Sequence, residues 1–151
     1  MRSKDIGTRA ETAVVKLAHR LGFADAERLP LAGSGDRGDV RLCTDPLVVL
    51  EVKAGKAAQN ASWSQIQAWM QETKVERNNA FRSGRKNVSD WVGFLVTQRK
   101  GYGLGRVDQW CLWTLDDDPL LETLDGTGQL PPGMYPLEDF LKWFKEERCS
   151  D

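Results

Sequence analysis

Gly33-Ser-Gly-Asp-Arg-Gly-Asp39-Val-Arg-Leu-Cys43-Thr-Asp-Pro-Leu47-Val-Val-Leu-Glu51-Val-Lys53 reads as a flexible loop, two strand signals and the turn between them. Asp39 to Cys43 predicts a short strand, Thr44-Asp-Pro a turn, and Leu47 to Lys53 a second strand rich in β-branched and apolar residues. Side chains alternate along a strand, so Leu47, Val49, Glu51 and Lys53 share one face and Val48, Leu50 and Val52 the other. The run is apolar on both faces until its end, as expected of a strand covered on both sides. Two carboxylates, Asp39 and Glu51, thus fall on adjacent strands of one hairpin. Such a pair suits a hard divalent cation. A lysine two residues after the second acid can act on the water or phosphate beside that cation, an arrangement suited to metal-assisted phosphodiester hydrolysis.

Upstream, residues 4–22 predict an amphipathic helix, with Ile6, Ala10, Ala13, Val14, Leu17 and Leu21 at three- and four-residue steps and Gly22 as a stop. On a helical wheel Glu11 falls beside Gly7 and Ala18, at the border of the apolar stripe. A carboxylate there can lean over the edge of a sheet. Glu27 to Ala32 predicts a first strand, pushed toward an edge or bulge by Pro30.

Downstream, Ser62-Trp-Ser-Gln65 reads as a capping box opening a helix that continues to Phe81, with Trp63, Ile66, Trp69, Met70 and Thr73 on one face. Trp91 to Gln98 predicts a fourth strand and Gln109 to Leu115 a fifth, separated by the basic, glycine-rich loop Arg99 to Arg106. Gly101-Tyr-Gly-Leu-Gly105 does not read as a dinucleotide loop, because a strand rather than a helix is expected after it. Gly126 to Pro132 is irregular, and a last helix begins near Pro136 with Leu137, Phe140, Leu141 and Phe144 on one face. The order of elements predicts a single α/β domain over residues 1–151, a central mixed sheet with helices on its faces.

Composition narrows the chemistry. At 151 residues, 40% apolar and 28% charged, the chain is long enough for a real core. No apolar run is long enough to span a bilayer, and the first residues lack the apolar core of a signal peptide. Cys43, Cys111 and Cys149 suit neither a disulfide framework nor a zinc site, and fit a reducing cytoplasm. The single histidine, His19, reads as a surface or boundary residue and removes most histidine-based catalysis. The net charge of −1 hides segregation. Residues 74–106 carry Lys74, Arg77, Arg82, Arg85, Lys86, Arg99, Lys100 and Arg106 against Glu76 and Asp90. Residues 116–151, an acidic C-terminal region with the final helix, carry ten acidic and three basic side chains. A basic middle supplies a phosphate-binding face.

Glu11, Gly38-Asp39 and Glu51-Val-Lys53, in this order and on these elements, resemble the PD-(D/E)xK nucleases. Ile6-Gly-Thr-Arg-Ala-Glu11, Asp36-Arg-Gly-Asp39, Leu50-Glu-Val-Lys53, Glu72-Thr-Lys-Val-Glu-Arg-Asn-Asn-Ala80 and Gln98-Arg-Lys-Gly resemble the phage-type Holliday-junction resolvases within that superfamily. The likeness runs from about residue 5 to 115. Gly38 stands where the family name has proline, which removes no ligand.

The resemblance implies a restriction-endonuclease-like fold, with Asp39 and Glu51 as ligands of Mg²⁺ (Mn²⁺ substituting), helped by the Val52 carbonyl and by Glu11 from the side. Lys53 would orient or activate the attacking water, and Gln65, Gln67 or Gln71 would supply a polar residue from the following helix. The implied activity is paired symmetric nicking of four-way DNA junctions by a homodimer, leaving 5′-phosphates, in the host cytoplasm if phage-encoded. Lys56, Arg77, Arg85, Lys86, Arg99, Lys100 and Arg106 are the candidate phosphate contacts. Alternatives are a restriction or repair endonuclease acting on duplex or flap DNA, a catalytically silent DNA-binding module, and a protein-interaction domain.

Overall fold

A computed structural model describes residues 3–29, 39–44, 47–82, 91–114 and 133–148, with side chains undescribed at 3–4, 74–82, 91–92 and 148. Strand β3 (Leu47–Lys53) lies inside a six-stranded mixed sheet of order β1-β2-β3-β4-β5-β6. Its neighbours are β2 (Val40–Thr44), antiparallel, and β4 (Trp91–Thr97), parallel. A parallel pair needs a long crossover, supplied here by the short helix α2 (Lys56–Gln59) and by α3 (Trp63–Arg82). Antiparallel β1 (Glu27–Arg28) closes one edge beside β2. β5 (Cys111–Thr114) and β6 (Gly133–Pro136) extend the other side, each antiparallel to its neighbour.

Helix α1 (Ser3–Arg20) and helix α4 (Leu137–Arg148) cover one face of the sheet. Ala10, Val14 and Leu17 of α1 and Leu137, Phe140, Leu141 and Phe144 of α4 share one core with Val40, Leu50, Val52, Phe94, Val96, Trp110 and Leu112. Truncating a side chain as deeply buried as Phe94 typically costs about 3–5 kcal/mol. Helix α3 crosses the opposite face, where β3 presents Leu47, Val49, Glu51 and Lys53. The approach is close: a Cβ on Gly93 would stand 2.9 Å from the Thr73 methyl.

The ends of the helices follow local chemistry. Ser62 Oγ accepts a hydrogen bond from the Gln65 N–H at 3.2 Å, the N-cap half of the expected capping box. At the end of α1, Phe23 N–H donates to the Ala18 carbonyl and Gly22 N–H to the His19 carbonyl, with Gly22 at φ +101°. That is a Schellman closure, and it needs a residue that tolerates a left-handed backbone. His19 Nε2 donates to the Ala26 carbonyl at 2.7 Å, tying the helix end to the loop before β1.

Strand β2 contains an irregularity. Val40 pairs with Leu50 and Arg41 with Val49, but Cys43 pairs with Val48, so Leu42 is an extra residue in the ladder. This is a β-bulge.

Several expectations need correction. Cys111, not Gln109, opens β5, because Leu104–Gln109 forms a 3-10 helix that the glycine-rich loop did not suggest. A short 3-10 helix, kinked at Arg106, therefore begins inside the Gly101–Gly105 stretch, at Leu104, before the strand. Strand β6 was not anticipated either. Trp63 lies at the first turn of α3 with 58% of its surface exposed, its ring tilted at 46° to that of Trp113 with centroids 5.8 Å apart, and is not buried with Ile66 of the same predicted face. Pro30–Ala32, the Gly33–Gly38 loop, Gly126–Pro132 and Cys149 lie outside the described residues, as does most of the acidic C-terminal region. Among the described residues no helix is long and apolar enough to cross a membrane.

Candidate functional site

Asp39 sits in the bend that enters β2, next in register to Glu51 across the hairpin. Its backbone is fixed on both sides: its N–H donates to the Leu50 carbonyl at 3.2 Å, and its carbonyl accepts from Leu29 N–H at 2.9 Å. Its carboxylate Oδ2 accepts a hydrogen bond from Val52 N–H at 2.8 Å. Burial, and then the negative charge of Glu51, push the Asp39 carboxyl up to about 8, against the pull of the Val52 hydrogen bond; Glu11 adds to the rise.

Glu51 is 5% exposed. One of its oxygens, Oε1, takes the Lys53 ammonium at 3.2 Å. The other, Oε2, is buried with no hydrogen-bond partner among the described residues. An acceptor left in that condition carries a desolvation cost of about 1–3 kcal/mol or more.

Strand alternation aims Lys53 to the same side as Glu51, as the sequence predicts. Its Nζ lies between Glu51 and Glu72 Oε2, 3.5 Å away, and 5.8 Å from the centre of the Trp69 ring. Burial alone would lower the Lys53 pKa, but Glu51, Glu72 and Asp39 together raise it above the ordinary lysine value. Lys53 is thus a fixed positive charge at neutral pH and a poor proton acceptor.

Glu11 reaches the group from α1. Arg28 Nε donates to its Oε1 at 2.9 Å, between a largely covered carboxylate and a half-exposed arginine. Burial raises the Glu11 pKa, Arg28 opposes, and the charge of Glu51 adds to the rise. Asp39, Glu51 and Glu11 therefore feel one another's charge. Among the described residues, no three His, Cys, Asp or Glu side chains already stand together as a metal cage; Arg28 holds Glu11 and Lys53 holds one oxygen of Glu51. The donor chemistry nonetheless fits a hard cation: oxygen ligands, a buried Glu51 oxygen with no partner among the described residues, and an Asp39 carboxyl that burial and then the Glu51 charge make costly to ionise.

The residue from α3 that touches the lysine is Glu72, together with the Trp69 ring. The sequence suggested Gln65, Gln67 or Gln71 for that place. Helix position alone did not single out Glu72, although it lies one turn beyond Trp69 on the side facing β3.

The chain beyond the strand ends is stitched together by Gln98. Its N–H donates to the Lys53 carbonyl at 2.9 Å, its Oε1 accepts from Gly55 N–H at 2.8 Å, and its Nε2 donates to the Tyr102 carbonyl at 3.0 Å. The turn after Lys53 is thereby fastened to the basic loop. In that loop Arg99 and Arg106 lie against the Tyr102 ring at 5.2 and 5.6 Å, and Arg106 also pairs with Asp108. Lys56, Arg99, Lys100 and Arg106 are exposed. Arg77 has its side chain undescribed, and Arg85 and Lys86 lie outside the described residues.

In comparisons with known proteins, no family model, no curated protein and no solved structure matches this chain.

Proposed function

We propose that this chain is a Mg²⁺-dependent, structure-specific DNA endonuclease that resolves four-way junctions as a homodimer. The observation that carries the reading is the joined pair of acids: Asp39 bonded through its carboxylate to the strand of Glu51, with Lys53 in contact with Glu51. The sheet is read as restriction-endonuclease-like. In support, an antiparallel hairpin bears the acids, a parallel β3–β4 pair follows, and helices cover both faces.

Asp39 and Glu51 would hold the metal, with the Val52 carbonyl and Glu11 completing the oxygen set. Bound there, Mg²⁺ supplies a water of lowered pKa and neutralises charge on the phosphate. Lys53, charged and steadied by Glu72 and Trp69, places a positive group beside the scissile phosphate. A water oxygen, giving up a proton to solvent, would form the new bond to phosphorus as the bond from phosphorus to the 3′-oxygen breaks, and the 3′-oxygen would take up a proton from solvent, leaving a 5′-phosphate. Lys56, Arg99, Lys100 and Arg106 offer exposed charge to the flanking backbone, and Arg77, Arg85 and Lys86 belong to the same basic segment. Two copies related by a two-fold axis supply the two symmetric nicks. Three cysteines with no paired Cys-x-x-Cys spacing accord with action in a reducing cytoplasm.

The test is incubation with Mg²⁺ and either a synthetic four-way junction or the matching linear duplex. Paired nicks on the junction alone are expected. Equal cutting of the duplex replaces junction resolution with a duplex- or flap-cutting activity. No cleavage of any DNA with Mg²⁺ or Mn²⁺ overturns the nuclease reading.

A further inference from the structure

A second cationic surface lies apart from the acids, in a groove of about 480 Å³ between α1 and the 3-10 helix. Arg9, Lys16 and Arg20 line it from α1, Leu17 lies in its floor, and Leu104 and Val107 form the opposing wall. The three cations are seven and four residues apart. At about 100° and 1.5 Å per residue they form one line along the helix, about 16 Å long. All three are exposed, and none has an ion-pair partner among the described residues. Glu11 is about 200° from Arg9 around the same helix. The acids therefore stand at one flank of α1 and the groove at the other.

We propose that this groove holds a stretch of nucleic-acid sugar-phosphate backbone away from the cleavage site, as a second arm of a branched substrate would require. The inference rests on the DNA reading of the acidic site and adds a separate surface to it. Charge complementarity names the occupant. A line of three cations about 16 Å long, with no ion-pair partner among the described residues, outreaches a single phosphate group, whereas one DNA strand carries a charge every 3.4 Å or so of helix axis. Leu104, 39% exposed on the opposing wall, offers apolar contact to sugar carbons instead of a competing negative charge.

The experiment measures binding of a labelled four-way junction by fluorescence anisotropy between 50 and 200 mM NaCl with Mg²⁺ present. An Asp39→Asn parent prevents cleavage. Adding Arg9→Glu, Lys16→Glu and Arg20→Glu to that parent is expected to weaken binding at least about tenfold. The slope of log affinity against log salt should shrink by about 2 to 3, the count of lost phosphate contacts. The melting temperature reports the fold of each variant, and Arg9→Lys with Arg20→Lys should bind like the parent, since charge alone is required. Unchanged affinity and slope in the glutamate variant, with a parent that binds, overturns the groove and leaves the nuclease reading standing. A parent with no salt-dependent affinity for the junction, and a wild-type chain that cuts no DNA, overturns both.

Discussion

The Asp39 carboxylate accepts the Val52 N–H at 2.8 Å, so an acid that enters β2 is bonded to the strand bearing Glu51. A side-chain-to-backbone bond of this kind ties the separation of the two acids to the hairpin itself. The acids do not depend on a flexible loop to meet.

Loss of either acid should abolish metal-dependent cleavage with little harm to the fold. Asp39→Asn and Glu51→Gln are each expected to slow junction cleavage by at least about 10²-fold, since both act on the same charge-stabilising group. Single-turnover rates at saturating protein check this, with melting curves alongside. Glu51→Gln should not lower metal-free stability greatly: it loses the Lys53 pair but relieves a buried oxygen that has no hydrogen-bond partner among the described residues, and Lys53 keeps Glu72 as a counter-charge.

Metal-free stability should fall as pH rises. Asp39 binds its proton in the folded state up to about pH 8, whereas the unfolded carboxyl releases it near pH 4. Between those values the folded state holds more protons than the unfolded one, so the stability present below pH 4 is lost progressively toward pH 8. The slope is at most about 1.4 kcal/mol per pH unit for one group. Melting temperatures from pH 5 to pH 8 in EDTA measure it, and Asp39→Asn should flatten the curve. Mg²⁺ affinity should run the opposite way and strengthen over the same range, because a ligand carboxyl must first lose its proton. A metal-free melting temperature that climbs from pH 5 to pH 8 contradicts this account.

Lys53 separates a charge role from a base role. Lys53→Met should cut the cleavage rate by about 10²-fold while leaving Mg²⁺ binding measurable by calorimetry. Lys53→Arg should retain part of the activity, since a fixed cation suffices for electrostatic help. Glu72→Gln removes one of the charges that raise the lysine pKa and should shift the lysine titration downward, which ¹³C-labelled lysine NMR can follow.

The contact between α3 and β4 should be intolerant of a single methyl group. Gly93→Ala is expected to cost about 1–3 kcal/mol, because the new Cβ would meet the Thr73 methyl at 2.9 Å in a packed face. Pairing it with Thr73→Ser, which deletes that methyl, should recover much of the loss in a double-mutant cycle. Denaturant unfolding gives both numbers.

The parts legible in sequence were those written in local chemistry. The β-branched run Leu47–Lys53 has the bounds the alternation predicts, and the Ser62 cap opens α3 where its spacing places it. Leu137, Phe140, Leu141 and Phe144 are buried as their helical spacing requires. The parts that escaped depend on distant partners. Gly133–Pro136 has no β-branched run and becomes a strand by pairing with β5. Leu104–Gln109 winds into a 3-10 helix that ends where Trp110, fully buried, gives its indole N–H to the Tyr102 and Gly103 carbonyls. The Glu11–Arg28 pair joins α1 to β1, and Glu72 reaches Lys53 across the crossover. The edge position of Glu11 was legible, but its cationic partner was not.

The extra residue at Leu42 has a consequence of parity. Counted from the turn at Thr44 and Leu47, an unbroken ladder would set Asp39 across from Val52, with its side chain on the sheet face away from Glu51. The bulge shifts the count by one and returns Asp39 to the side of Glu51. The acidic pair is thus a property of an interval as much as of two residues. A chain that kept both acids and lost one residue between Cys43 and Val40 would keep its strands and divide its site between two faces.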